Sequence, residues 1–442
     1  MPGRERSSRW DPALVYVVGH QRPDTDAIGS ALGYAWLLNA LGRPEVVAAR
    51  AGQPGEQTLF ALKRFAVAPP QLLPDVAPTF GHVAVAQPPV SPEAALPAAM
   101  ARVAEGDRVV PVVDAEGRPT GVVTALALAR AYTAPVNVTV MLAQPCQSIA
   151  EAPVSFFEHD RISDHRLALL RTETDDFLVV TESGSYLGVA SRSRLLQPPR
   201  ARLILVDHNE LSQAVPGAEE ADITAVLDHH RLGNPQTALP IPFLVDPVGS
   251  TCTLVAERCR ASGLTPPAGL AGLLLSGILS DTLVFRSPTA TPRDRAAAEW
   301  LAGLAGVDAA AYGEELLRAS SGLSARAAGE ILDADRKSYQ MGGVSVSIGQ
   351  VEVTSLQELP VRRDELLAAL DERREREGLS LVCLMVTDVV LGRSRLLCRG
   401  DKRLLSALPF TRVADGEFDL GDTVSRKKQL VPGLEAVLAD LR

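Results

Sequence analysis

Val15-Tyr16-Val17-Val18-Gly19-His20-Gln21-Arg22-Pro23-Asp24-Thr25-Asp26 is the stretch from which the fold can be read. A short β-branched run reads as a buried parallel strand, and an apolar helical pattern follows it from Ala27 to Leu41. Between the two lie one imidazole and two carboxylates. Ligands of open parallel sheets gather outside the carboxyl ends of the strands, where helix N-termini also meet, so this is the place for chemistry on an anion. Asp24 and Asp26 leave the strand where the backbone turns, and both can face one cavity, one for each of two adjacent cations. Asp24 or Thr25 would equally serve as a helix cap, so the motif alone leaves both readings open.

The same texture returns far along the chain. Leu203–Val206 runs into Asp207-His208-Asn209-Glu210, Ile223–Leu227 into Asp228-His229-His230-Arg231, and Phe243–Val245 into Asp246. Four of the seven histidines, His20, His208, His229 and His230, fall at such strand ends. Pro44–Ala49 reads as a further strand and Glu56–Phe65 as a helix. Leu270–Phe285 is the most apolar stretch; Ser276, Ser280 and Asp281 interrupt it and it is too short for a bilayer, so it reads as a buried helix. A buried carboxylate is costly without a partner, which makes Asp281 a candidate cation ligand, with a local hydrogen bond to Thr282 or a helix end as the plain alternative.

From about Pro69 to Pro199 a smaller unit is read twice. Val109–Thr124 and Phe177–Ser191 share an apolar strand, an acidic residue, a glycine turn and a Gly-Val strand. This repeat resembles a tandem pair of CBS domains, a family that binds adenine nucleotides in the clefts between its repeats. The resemblance places Thr124 and Ser191 at the ribose positions, where Ala127 and Arg194 stand in place of the family's acids. Arg192 and Arg194 are then the candidates for meeting phosphates, and a purely structural insert is the alternative.

With 442 residues and 46% hydrophobic content the chain has room for several cores. A net charge of -9 argues against a nucleic-acid or membrane-surface binder, so any phosphate site must be local. Five scattered cysteines without C-x-x-C spacing fit reduced thiols in a cytoplasmic protein. Met1–Pro12 lacks the apolar core of a signal peptide. Beyond a linker near Leu317–Gly322, a helix is expected over Ser324–Asp335, then strands such as Val344–Ile348 and Leu381–Val386, with Arg362–Glu377 as a helix with a solvated charged face. This reads as a second α/β domain.

Five phrases in order, His20–Asp26, Val206–Glu210, Asp228-His229-His230, Ser280-Asp281-Thr282 and Ser425-Arg426-Lys427-Lys428-Gln429, resemble the manganese-dependent family II inorganic pyrophosphatases of the DHH phosphoesterase superfamily. The insert matches the CBS-containing branch. The resemblance implies an α/β fold: a DHH-type parallel sheet domain over 13–68 and 201–317, a tandem CBS insert over 69–200 (about 69–135 and 136–200), and a DHH-associated substrate-binding domain over 318–442. It implies hydrolysis of pyrophosphate by a hydroxide bridging two Mn²⁺ or Co²⁺ ions, a further Mg²⁺ arriving with substrate, and a cytoplasmic homodimer.

Carried over position by position, His20 and Asp24 ligate one ion, Asp26, His229 and Asp281 the other, and Asp207 bridges them. Asp228 orients His229, and His208 is structural. His230, Lys337, Arg426 and Lys427 contact substrate, arginine as a planar fork and lysine as a point charge. AMP, ADP, ATP or a diadenosine polyphosphate is the expected regulator at the insert, and neither nucleic acid nor membrane is an expected partner. The alternatives are a short-chain exopolyphosphatase or another DHH phosphoesterase, a RecJ-like exonuclease, disfavoured by the acidic balance, and a nucleotide-sensing protein without catalysis.

Overall fold

All four residues of β1, Val15–Val18, are buried, as befits a parallel strand covered on both faces. In the computed structural model, residues 10–439 are described except 234–236, 238, 288, 320–322, 324–325, 334, 354–355, 357–358 and 389–390. The chain continues through α1 (Thr25–Ala40), β2 (Val46–Arg50), α2 (Glu56–Arg64) and β3 (Gln71–Leu72). It then enters the insert and returns as β9 (Arg202–Val206), β10 (Asp222–Asp228), β11 (Phe243–Val245), α9 (Thr251–Ala261), α10 (Ala268–Asp281), α11 (Pro292–Ala305) and α12 (Ala309–Ala319). These strands form one parallel sheet in the order β11-β10-β9-β1-β2-β3.

Strand alternation separates two cores. Val15 and Val17 join the helical layer of α1, α2 and α9–α12, while Tyr16 and Val18 pack with Trp10, Leu203, Leu205 and Val215 on the opposite face. Register matters here because β1 and β9 are neighbours, with Val15 beside Arg202 and Val18 beside Leu205. The carboxyl ends of the two strands therefore emerge side by side, one followed by His20 and the other by Asp207.

The insert holds α3 (Phe80–Val83), α4 (Leu96–Ala104), β4 (Val109–Val113), β5 (Pro119–Thr124), α5 (Ala125–Thr133) and α6 (Val138–Leu142), then β6 (Ser155–Phe157), α7 (Arg166–Arg171), β7 (Asp176–Val180), β8 (Tyr186–Ser191) and α8 (Arg192–Leu196). The internal repeat is visible in fine detail. Gly117 and Gly184 close the β4–β5 and β7–β8 turns at φ +81° and +82°, a left-handed conformation that glycine adopts without penalty. The ladders also shift register at the same place, Val112/Val113 in one and Val179/Val180 in the other. Tyr186 N–H donates to Gly117 O at 2.8 Å, so the two turns meet. The insert is clamped to the sheet domain by His82, stacked 4.1 Å from Trp10, and by Arg161 Nε on Asp75 Oδ2 at 2.7 Å.

The third region comprises α13 (Ala328–Asp333), β12 (Lys337–Met341), β13 (Val344–Val353), α14 (Leu359–Glu377), β14 (Leu381–Asp388), β15 (Arg393–Gly400), α15 (Lys402–Ala407), β16 (Thr411–Ala414), β17 (Glu417–Gly421) and α16 (Val431–Ala439), with a π-helical turn over Arg426–Leu430. Its sheet, ordered β12-β13-β14-β15-β17-β16, is mixed, β13 and β14 alone being parallel. Leu366, Leu367 and Leu370 of α14 cover one face and Leu430 and Leu434 the other.

The expected elements shift in three places. The first helix starts at Thr25, because Asp24 caps it by accepting Ala27 N–H at 2.9 Å. The apolar helix over 270–285 ends at Asp281, and Leu283, Val284 and Phe285 take left-handed φ of 48°, 53° and 63°. Of the helix expected over Ser324–Asp335, Ala328–Asp333 is helical, while Ser324, Ala325 and Ala334, and 320–322 of the expected linker, lie outside the described residues. All five cysteines are buried and free. Among the described residues no helix is long and apolar enough to cross a membrane.

Candidate metal centre

Six side chains converge where β1, β9 and β10 end. His20 follows β1, Asp24 caps α1 and Asp26 lies in its first turn, Asp207 follows β9, His229 follows β10, and Asp281 is the last residue of α10. The donor atoms of His20, Asp24 and Asp207 lie within 4.8 Å of one another, as do those of Asp26, Asp207, His229 and Asp281. Asp207 belongs to both groups. His20 Nε2 stands 3.5 Å from Asp24 Oδ2 and 3.5 Å from Asp207 Oδ2. His229 Nε2 is 3.4 Å from Asp207 Oδ1, 3.7 Å from Asp281 Oδ2 and 3.9 Å from Asp26 Oδ2.

Most of these separations are too long for good hydrogen bonds, and they suit ligands around a common cation, which stand about 3 Å apart when each bond is about 2.1 Å. Asp207 Oδ2 and His229 Nε2 are buried and lack any hydrogen-bond partner. Buried polar atoms without partners are costly, and a metal ion would satisfy both. Asp281 adds a second sign, since an acid at a helix C-terminus opposes the helix dipole unless a cation compensates it. The donor set of carboxylates and imidazoles without thiolate fits a manganese-class ion.

Without cations, protons take up the charge. Burial opposes a charged His20, yet Asp207 and Asp24 outweigh it and push its pKa up to about 10. His229 rises to about 9 in the same way, against burial, through Asp207 and Asp26. Burial and the charge of Asp207 raise Asp26 to about 7. Burial, with Asp26, Asp24 and Asp207 adding to it, lifts Asp281 well above the usual carboxylate range. Asp207 is held below that range by His20 and His229 in spite of its burial. The shared carboxylate thus stays ionised while its neighbours protonate.

The backbone at this centre is unusual. Asp207 has φ +61°, a left-handed conformation that Asp and Asn tolerate better than other side-chain-bearing residues. Just past Asp281, three successive non-glycine residues are left-handed, one of them the β-branched Val284. Strain of this kind persists where surrounding structure over-determines it, commonly at functional sites. Here Val284 N–H donates to Leu279 O at 2.8 Å and Phe285 N–H to Thr282 Oγ1 at 3.2 Å.

A supporting layer holds the ligands, and most of it was invisible in the sequence. Asp26 Oδ1 accepts from Ser250 Oγ at 2.6 Å and Cys252 N–H at 2.9 Å, and Oδ2 from Thr251 N–H at 2.7 Å, so the N-terminus of α9 grips this ligand. Gly277 must lack a side chain, because a Cβ there would fall 2.5 Å from Cys252 Sγ and 3.0 Å from Asp26 Oδ1. Buried Asp294 fixes the same loop from behind by accepting from Gly249 N–H at 2.9 Å and Thr253 Oγ1 at 2.6 Å. The sequence did carry signals for two of these residues: Ser250 opens a helix and Thr291-Pro-Arg-Asp294 is a capping box.

Asp228 acts differently from the expectation that it orients His229. Its Oδ1 accepts His230 Nδ1–H at 2.9 Å and both following backbone N–H groups, whereas His229 Nδ1–H is held by Val248 O at 3.0 Å. Register decides this, because the carboxylate folds back over the residues that follow it. Asp228 thereby raises the His230 pKa and leaves Nε2 of this half-exposed ring available. Buried Asn209 completes the arrangement, donating to Asp228 Oδ2 at 2.5 Å and Arg231 O at 2.8 Å. His208 donates from Nδ1 to Val206 O at 2.9 Å, and burial lowers its pKa. Asp246 pairs with Arg293 at 3.0 Å, outside the cluster.

Lys337 and Arg426 are brought together. Lys337 is in register with Ile348, whose carbonyl accepts from Arg426 Nη1 at 3.4 Å. Arg426 is buried and paired with Asp335 Oδ2 at 2.9 Å; Lys427, the next residue, is exposed. No described hydrogen bond or ion pair joins these cations to the His20–Asp281 cluster. In the insert, Thr124 Oγ1 accepts Ala127 N–H at 3.0 Å and Ser191 Oγ lies 3.0 Å from Ser193 Oγ. Four of the five N–H donors of Arg192 are engaged, on Asp175 Oδ1 and the carbonyls of Leu169, Thr172 and Thr174 at 2.7–2.8 Å, which leaves one for the expected phosphate contact.

The chain matches the family model described as DHH family, N-terminal domain, over residues 14–278, and the DHHA2 domain over residues 314–437. It is 39% identical over 241 residues to a probable manganese-dependent inorganic pyrophosphatase of Shouchella clausii, covering 54% of this chain and 78% of the other. It is 29% identical over 425 residues to a manganese-dependent inorganic pyrophosphatase of Methanothrix thermoacetophila, covering 96% and 97%. A cobalt-dependent inorganic pyrophosphatase of Clostridium perfringens is 33% identical over 280 residues, 63% of this chain and 51% of the other, so the chain spans about half that relative's length.

Proposed function

The chain belongs to the DHH family and carries a DHHA2 domain behind the family's N-terminal domain, and from that premise we infer that it hydrolyses inorganic pyrophosphate to two phosphates. The observation that carries this reading is Asp207, shared by two groups of ligands whose other members are His20 and Asp24 on one side and Asp26, His229 and Asp281 on the other. Manganese or cobalt ions are the proposed occupants, two in number, with Mg²⁺ arriving on the substrate. When bound, such ions supply positive charge to the phosphoryl oxygens and acidify water at neutral pH.

The protein's own residues do the rest. Asp26 and Asp207 are fixed by backbone and hydroxyl donors, so the ligand cage is preorganised. His230, with Nδ1 anchored on Asp228, presents Nε2–H to a phosphate oxygen and is placed to yield a proton to the departing phosphate. Lys337, Arg426 and Lys427 are the proposed clamp for that phosphate, reached by closure of the C-terminal domain, which also excludes water. Attack of water oxygen on one phosphorus breaks its bond to the bridging oxygen, and the second phosphate leaves with the electron pair.

Within 69–200 a tandem CBS pair is proposed, beginning after β3 and the residues to Val76 that pack with the first sheet and so belong to it, a reading supported by the matching turns and bulges of the two repeats. Adenine nucleotides are its proposed ligands, near Thr124 and Ser191, with Arg194 as the freer cation and Arg192 largely engaged by its own repeat. The exposed apolar side chains of its helices, Leu126, Tyr132, Val140, Leu167, Leu170 and Leu196, support a homodimer formed through this insert. A cytoplasmic location is part of the same proposal. Phosphate release from pyrophosphate in manganese, with and without AMP, ADP and ATP, tests the reading. An inert chain sinks the activity, and an unchanged rate with no binding heat sinks the nucleotide site alone.

A further inference from the structure

We propose that a cavity beside the Asp24 loop binds a third phosphoryl group, so that linear tripolyphosphate is also a substrate; this rests on the pyrophosphatase reading above. The cavity, about 510 Å³, lies between the Gln21–Thr25 loop, the start of α2 and Arg326, and its size falls within the usual range for small-molecule sites. Asp24 is part of its wall, so the cavity adjoins the candidate metal centre at that residue.

The charge in this cavity has no internal use. Among the described residues neither the Arg22 nor the Arg326 guanidinium has a hydrogen-bond or ion-pair partner, although most arginines of the chain are paired. The acids that face them are Asp24 and Glu56. Asp24 is neutralised when it ligates a cation, which leaves one carboxylate against two guanidinium groups. The helix behind them begins after Gly55, which has no side chain to cap it, so its first N–H groups favour an anion. Two planar forks and an open helix end suit phosphoryl oxygens and offer little to an apolar ligand.

Pyrophosphate resting on the metal centre has no group left for this cavity, whereas a chain longer by one phosphoryl does. In the reaction, water oxygen bonds to the phosphorus at the metal centre and the bond from that phosphorus to its bridging oxygen breaks. The leaving pyrophosphate carries off the electron pair and the proton passes to it or to solvent. The products are one phosphate and one pyrophosphate, with no other reactant.

The test is steady-state phosphate release from pyrophosphate and from tripolyphosphate by the manganese-loaded full chain, in the parent, Arg22→Gln, Arg326→Gln and the double variant. The parent is expected to turn over both, and the variants to keep pyrophosphate hydrolysis within about twofold. Each is expected to raise the tripolyphosphate KM about tenfold or more, the scale of one lost charge-assisted contact. A parent that hydrolyses pyrophosphate and not tripolyphosphate overturns the inference alone. Variants that keep full tripolyphosphate hydrolysis, or that lose both substrates equally, overturn it as well. A parent inert on both overturns the pyrophosphatase reading itself.

Discussion

Replacing Asp294 by alanine asks whether the loop that grips Asp26 is itself held from behind. The buried carboxylate accepts from Gly249 N–H, Thr253 Oγ1, Thr291 N–H and Thr291 Oγ1, all at 2.6–3.0 Å. Alanine leaves the Gly249 and Thr291 N–H groups without acceptors, at about 1–3 kcal/mol each; the Thr291 bond is also half of the capping box of α11. The expected loss is about 2–6 kcal/mol, a large share of an ordinary domain's ~5–15 kcal/mol. Asp294→Asn keeps the shape and one acceptor oxygen, Thr253 can turn its hydroxyl to accept, and the loss should stay near 1–2 kcal/mol. Because Gly249 leads into the three donors on Asp26, metal binding should follow. Urea unfolding of the metal-free chain reads the first effect and manganese titration the second, expected as about ten- to hundredfold weaker binding in the alanine variant, the usual cost of losing an outer-shell partner. An alanine variant that folds and binds manganese as tightly as the parent would refute the coupling between Asp294 and the ligand cage.

Three further outcomes are expected. Asp207→Asn preserves a residue that tolerates the left-handed backbone while removing the shared charge, so circular dichroism should be unchanged while bound manganese and pyrophosphate turnover collapse; near-normal turnover would sink the shared-ligand assignment. Arg426→Lys loses the fork that holds Asp335 and that, in the proposed clamp, would meet phosphate; metal content should be unchanged and kcat/KM should fall by the equivalent of about 1–3 kcal/mol, and an unaffected variant would make this segment ordinary structure. Metal ions bind the deprotonated ligands, so loading should expel protons from His20 and His229, whose pKa values are about 10 and 9, and from Asp26 at about 7. Manganese affinity should therefore rise with pH through the range 7–10 and level off above it, and calorimetry in buffers of different ionisation heat should show proton release; an affinity flat with pH would contradict this.

Much of the centre was legible because its ligands follow directly from strand ends. Once Val15–Val18 and Leu203–Val206 are read as parallel strands, His20 and Asp207 must emerge at one edge of the sheet. What stayed hidden depends on long-range packing. Nothing local to Asp294 says that it reaches Gly249, and nothing in Asp228-His229-His230 says which imidazole the carboxylate will hold. The end of α10 is hidden because Leu283, Val284 and Phe285 are apolar and continue a helical pattern, while the backbone there turns left-handed and bonds back to Leu279 O and Thr282 Oγ1. Arg192 reads as a phosphate contact from its place after Ser191, yet four of its five donors are used within its own repeat.

The order of strands in the first sheet also sets an order of events during synthesis. β1, α1 and β2 leave the ribosome early, carrying His20, Asp24 and Asp26, but the neighbour that β1 requires on its other side, β9, follows the whole insert. Asp207, His229 and Asp281 come later still. A nascent chain therefore cannot complete both ligand groups until α10 is made, and until then its first apolar helix and strands wait without their partners. An insert that folds on its own during that wait shortens the effective loop to be closed, since the entropy of closure then counts only the flexible residues that remain. The regulatory reading gives the insert one use, and sequential folding of the sheet gives it another.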